Sequence, residues 1–125
     1  MVLVFGHEPR LGPTGERIAA KYLRRHGHRI LMRNYRCPAG EIDLVAAQGD
    51  TLVFVEVKTR SSDDLAMPED AVDAAKRRQI LRAARYFLAQ MKAQHLPIRF
   101  DVVAIVLPPR GAPQIEHFIA AFASA

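Results

Sequence analysis

The chain has 125 residues, 50% of them hydrophobic, which is enough for one compact domain (1–125) with a real core. Its formal charge of +5 suits a polyanionic partner, and its single cysteine, Cys37, excludes an intramolecular disulfide. No Cys/His cluster is spaced for zinc, no apolar run approaches membrane-spanning length, and the apolar opening 1–5 is too short for a signal peptide. The expectation is a cytoplasmic protein without a membrane partner.

Residues 1–12 contain Gly6, Pro9 and Gly12 and read as a flexible arm. Thr14 reads as the N-cap of a helix running to His26, with Gly27 as the residue after its end. Glu16, Ala19, Ala20 and Leu23 fall on one stripe of that helix, so Glu16 lies on or beside the inward face. Favourable interaction with the helix N-terminus explains Glu16 at least as well as a catalytic role. Through Arg36 the chain carries eight Lys/Arg against two acids. Residues 28–36 read as a first strand, and 37–40 as a turn into a second, 40–47, which carries Asp43.

Residues 52–60 form the next strand, apolar enough to be covered on both faces, yet Glu56 and Lys58 sit inside it. Side chains two apart share a strand face, so Leu52, Phe54, Glu56 and Lys58 point one way. A charge there costs several kcal/mol unless it is paired, hydrogen-bonded or bound to metal. A structural Glu–Lys ion pair accounts for the tripeptide on its own. Gln48-Gly49-Asp50 between the two runs is a hairpin signal, and the antiparallel pairing it implies brings Asp43 alongside Glu56. Two hard oxygen donors beside a lysine form a magnesium-nuclease constellation. The carboxylates can hold a divalent cation, and the lysine can steer water and stabilise developing negative charge.

Residues 60–67 are polar and acidic and read as a loop near this site; Pro68 or Asp73 opens a second long helix. Ile80, Ala84, Phe87, Leu88 and Met91 make its apolar face, while Arg78, Arg82, Arg85 and Lys92 make a basic stripe whose ordinary meaning is a solvated surface. Lys76 falls on the inward stripe at the first turn, within reach of the site, and Gln79 flanks it. Residues 98–107 are the clearest strand, apolar on both faces after Asp101. In the finish, 113–125, residues 114–118 read as a short edge strand and the alanine-rich end as a short helix or frayed tail. His117 reads as packing or surface. The order predicts an α/β sandwich with a mixed sheet, its fourth strand pairing parallel across the second helix.

Residues 40–45 (Gly-Glu-Ile-Asp-Leu-Val), 54–60 (Phe-Val-Glu-Val-Lys-Thr-Arg) and 99–103 (Arg-Phe-Asp-Val-Val), with Gly15-Glu16 and Asn34-Tyr35-Arg36, strongly resemble the YraN family. These are small bacterial proteins with a restriction-endonuclease-like fold, related to archaeal Holliday-junction resolvases. The resemblance spans roughly residues 12–122 and implies the αβββαβ core of the PD-(D/E)xK nucleases. Asp43, Glu56 and Lys58 match the motif, and Glu16 matches the helix-borne glutamate of the resolvase-like branch. The eponymous proline is replaced by Ile42.

The implied activity is Mg2+- or Mn2+-dependent, structure-selective DNA endonuclease cleavage. Asp43, Glu56 and the Val57 carbonyl would be ligands, Lys58 would orient the attacking water, and Glu16 would complete the site. Arg60, Lys76, Gln79, Arg78 and Arg82 would hold nucleic acid, branched or flapped DNA before RNA, and a homodimer would suit a junction. The alternative is a catalytically silent nucleic-acid-binding module of the same fold. Glu41 shares a face with Asp43 by alternation and is left without a role.

Overall fold

The computed structural model describes residues 11–62 and 72–123. Helix α1 (Leu11–Arg25) leads into strands β1 (Arg29–Cys37), β2 (Gly40–Gln48) and β3 (Thr51–Ser61); α2 (Ala74–Gln90), β4 (Ile98–Leu107) and β5 (Gln114–Phe122) follow. The sheet runs β1-β2-β3-β4-β5. β1, β2 and β3 pair antiparallel, β3 and β4 parallel, and β4 and β5 antiparallel. This is the predicted αβββαβ order with a mixed sheet, extended by one edge strand. No helix among the described residues is long and apolar enough to cross a membrane.

The alternation of apolar residues on the central strands explains the layering. Leu44, Ala46, Val53, Val55, Val103 and Ile105 pack against Ala19, Ala20 and Leu23 of α1. Val45, Phe54, Phe100 and Val102 point the other way, onto Ile80, Ala83, Ala84, Phe87 and Leu88 of α2. Helix α1 ends as its sequence demands: Gly27 takes φ +87°, and the N–H of His28 donates to the Leu23 carbonyl at 2.9 Å. Asp73, not Pro68, caps α2, its carboxylate accepting the Lys76 N–H at 2.9 Å.

Three expectations change. Helix α1 begins at Leu11, so Thr14 lies inside it and is not its cap; Pro13 falls in the first turn, where no N–H is required. Leu11 and Gly12 of the expected arm belong to the helix; residues 1–10 lie outside the described residues, as does the acidic segment 63–71. The alanine-rich end is strand as far as Phe122, which pairs with Phe100, in place of the expected helix or frayed tail; its last two residues lie outside the described residues. Hydrogen bonding to β4 overrides the helix preference of alanine there.

Candidate active site

The site begins where β2 and β3 separate. Their pairing is regular from Gln48↔Thr51 to Leu44↔Val55 and stops there. One more step of a regular ladder would offer the Ile42 carbonyl to Val57. Instead the Val57 N–H donates to Asp43 Oδ2 at 2.8 Å. β2 turns over at this point: Leu44 packs under α1, whereas Ile42, two residues away, packs under α2. A residue's N–H and C=O point to the same side of an extended strand, so the Val57 carbonyl faces the same opening.

Into that opening converge the carboxyls of Asp43 and Glu56, as the hairpin register predicts. Burial pushes the Asp43 carboxyl well above its ordinary value. The neighbouring Glu56 charge pushes it further, and the Val57 N–H only partly opposes the rise. Glu56 is 5% exposed, and its Oε1 is buried without a hydrogen-bond partner among the described residues. Its other oxygen, Oε2, faces two ammonium groups, Lys58 Nζ at 3.5 Å and Lys76 Nζ at 3.7 Å. Lys58 comes from the same strand face, two residues on; Lys76 comes from the first turn of α2, where its place on the inward stripe predicts it.

Glu16 approaches from α1. With the helix starting at Leu11, it lies beyond the first turn, which holds no acid, so interaction with the helix N-terminus does not explain it. Burial raises its carboxyl, Glu41 and Glu56 add to the rise, and a hydrogen bond from Asn34 opposes it. The Asn34 amide, its nitrogen turned toward the acids, donates to Glu16 Oε1 at 3.0 Å and Glu41 Oε2 at 3.0 Å. Asn34 reaches both because its backbone is left-handed, φ 53°. Glu41 also pairs with Arg36 at 3.7 Å. Gln79 packs where a side chain on Gly40 would stand, and its Nε2 donates to the Glu41 carbonyl at 3.4 Å. It therefore ties α2 to the start of β2.

Among the described residues, no group of three or more His, Cys, Asp or Glu side chains is arranged to hold a metal ion. The direct pair is Asp43 with Glu56, and Glu16 is an outer neighbour. A cation fits this pair on the chemistry of the donors: a buried oxygen without a partner, two carboxyls that repel each other, and a carbonyl facing the gap.

A family model described as "Uncharacterised protein family UPF0102" matches residues 15–105. The chain belongs to this family. A UPF0102 protein of Geotalea daltonii is 50% identical over 112 residues, covering 90% of this chain and 88% of its own. Another, of Syntrophotalea carbinolica, is 52% identical over 113 residues, covering 90% of each. Among solved structures, Hjc of Archaeoglobus fulgidus, a Holliday junction resolvase from an archaeal hyperthermophile, aligns with a TM-score of 0.41 at 20% identity. It covers 86% of this chain and 81% of that one, a likeness that carries no argument about activity. Every side chain of the site, from Glu16 to Gln79, lies within the span matched to UPF0102.

Of the expected nucleic-acid contacts in this UPF0102 chain, Arg78 and Arg82 are exposed on α2, and Lys76 and Gln79 stand at the site itself. Arg60 is the exception. It is 8% exposed and lies in β3 opposite Val106, so its guanidinium is not presented to a partner as expected.

A second polar cluster went unread in the sequence. Asp101, 0% exposed, accepts two hydrogen bonds from Arg99 at 2.9 Å each and one from the Ala120 N–H at 2.9 Å. His117 Nε2 lies 2.7 Å from its Oδ2. Burial pushes the Asp101 carboxyl up, but the His117, Arg99 and Ala120 bonds outweigh it and hold the group below its ordinary value. The two-residue spacing of Arg99 and Asp101, which puts both on one strand face, was the available signal.

Proposed function

We propose that this protein is a divalent-metal-dependent endonuclease that hydrolyses DNA phosphodiesters and selects its substrate by structure rather than sequence. One observation carries the reading: Asp43 and Glu56 converge at the splayed end of β2 and β3, with two ammonium groups on one oxygen of Glu56 and no hydrogen-bond partner for the other among the described residues. The αβββαβ order around it is the core expected of the restriction-endonuclease-like nucleases, and the YraN resemblance points the same way.

In this reading Asp43, Glu56 and the Val57 carbonyl hold Mg2+ or Mn2+. When bound, the ion supplies Lewis acidity toward a phosphoryl oxygen and lowers the pKa of water. The Val57 N–H fixes the Asp43 carboxylate so that its second oxygen faces the opening. Lys58 orients the attacking water and offers its ammonium to the charge that builds on the phosphoryl oxygens. Lys76 holds the adjacent phosphate. Glu16, oriented by Asn34, borders the site as a further acceptor. The exposed cations of α2 meet phosphates, contacts that set position and carry no sequence information.

Cleavage of branched, flapped and plain duplex DNA with Mg2+ or Mn2+ tests this. Wild type is expected to cut branched or flapped substrates, and Asp43→Ala and Lys58→Ala to abolish cutting. Cleavage that survives both substitutions sinks the proposal. Binding without cleavage by wild type leaves the catalytically silent nucleic-acid-binding module.

A further inference from the structure

Helix α2 carries an exposed aromatic residue that neither the core nor the proposed chemistry uses. Tyr86 is 44% exposed, and with Arg82, Arg85 and Ala89 it lines a groove on the outer side of the helix. Arg82 stands one turn before Tyr86, Arg82 and Arg85 are spaced i, i+3, and Ala89 follows Arg85 by one turn. The two guanidinium groups and the ring are therefore surface neighbours, with a small side chain leaving room beside them. Neither arginine forms an ion pair among the described residues. The ring and the two arginines thus share one exposed patch of the helix.

The position of the groove gives it a partner. The hydroxyl of Tyr35 in β1 donates to Gln90, one turn after Tyr86 on the same flank of α2. Gln79, two turns before Tyr86 on that flank, touches the Glu41 carbonyl at the edge of the site. Lys76 at the site and Tyr86 are ten residues apart, about 15 Å along the helix axis. A strand leaving the site along this flank meets Gln79, then the arginines, then the ring.

We propose that Tyr86, Arg82 and Arg85 form a docking platform for an unpaired DNA strand, one base stacking on the Tyr86 ring while Arg82 and Arg85 hold the flanking phosphates. Any base has a face to stack, so the platform recognises single-strandedness and not sequence. The inference takes its substrate from the nuclease reading but needs no catalysis. It assigns the structural selectivity to a single-stranded flap.

The test is fluorescence anisotropy of the full chain in chelator, using three labelled DNAs: a duplex with a single-stranded flap, the same duplex blunt, and the single strand alone. Tyr86→Ala is expected to weaken binding of the flap and the single strand roughly 5- to 100-fold and to change the blunt duplex by no more than about twofold. Tyr86→Phe keeps wild-type affinity. Arg82→Ala lowers the salt dependence of single-strand binding by about 0.7 in the log–log slope. Should Tyr86→Ala unfold, Tyr86→Gln reads the same loss. Wild-type affinity of Tyr86→Ala for the flap, or an equal loss on flap and blunt duplex, overturns the platform. Flap-selective binding that depends on Tyr86, in a protein that cuts nothing, keeps the platform and removes the nuclease. Cutting that is indifferent to Tyr86→Ala does the reverse.

Discussion

Asp43 stands in for a main-chain acceptor: its Oδ2 takes the Val57 N–H at 2.8 Å just past the last β2–β3 pair. The ladder ends, yet the donor is satisfied, and a carboxyl is fixed beside Glu56 at the mouth of the gap. The first prediction follows from the cost of that position.

The Asp43 carboxyl is raised in the folded state by burial and then by Glu56. In the window from its ordinary value up to the raised one, the folded chain binds more protons than the unfolded chain, so stability contributed by this group falls as pH rises. Above the window the full penalty is present. Asp43→Asn, which keeps an acceptor for Val57, is expected to melt higher than wild type in chelator at pH 8. Mg2+ or Mn2+ should raise the melting temperature of wild type and leave that of the variant unchanged. Thermal melts with and without the ion check both.

Lys58 and Lys76 face the same oxygen of Glu56 but are given different work. Lys58→Ala is expected to lower single-turnover cleavage by roughly 10²-fold with DNA affinity little changed. Lys76→Ala should weaken DNA binding and reduce its salt dependence by about one phosphate contact. Single-turnover kinetics alongside anisotropy titrations separate the two; identical profiles would refute the division.

Gly15 lets α1 sit close on β3. A Cβ there would stand 1.8 Å from Thr59 Oγ1 and 3.0 Å from Thr59 Cβ. Gly15→Ala gains up to about 1 kcal/mol in helix propensity but overpacks this contact at about 1–3 kcal/mol, so the net effect is destabilising. Thr59→Ala in the same chain should recover part of the loss, measurable by urea denaturation of the two single variants and the double.

Lys92 ends α2 with φ 53°, its N–H on the Ala89 carbonyl at 3.2 Å and the Ala93 N–H on Leu88 at 2.9 Å. This is the arrangement Gly27 makes after α1, but built on a residue with a Cβ. Lys92→Gly is expected to stabilise the fold by about 0.5–1 kcal/mol, seen as a higher denaturation midpoint at unchanged slope.

The parts of the site that follow from period were legible. Glu56 and Lys58 share a face because a strand repeats every two residues, Asp43 meets Glu56 because Gly49-Asp50 sets the register, and Lys76 turns inward because it precedes Ile80 by one turn. What depends on irregular backbone was not. The left-handed Asn34 that bridges Glu16 and Glu41, and the turnover of β2 between Ile42 and Leu44, break the repeat from which they would have to be read. Ala120 misled for a related reason. Its local preference is helical, but its N–H is claimed by Asp101, nineteen residues earlier.

That bond bears on how the sheet closes. The wholly enclosed Asp101 is quieted partly by His117 and the Ala120 N–H, both supplied by β5. With α1 through β4 assembled and β5 undocked, Asp101 would keep its Arg99 pair but lose the two contacts from β5. Burial of that carboxylate is therefore complete only with β5 in place, and a chain cut short before residue 117 loses both of those contacts.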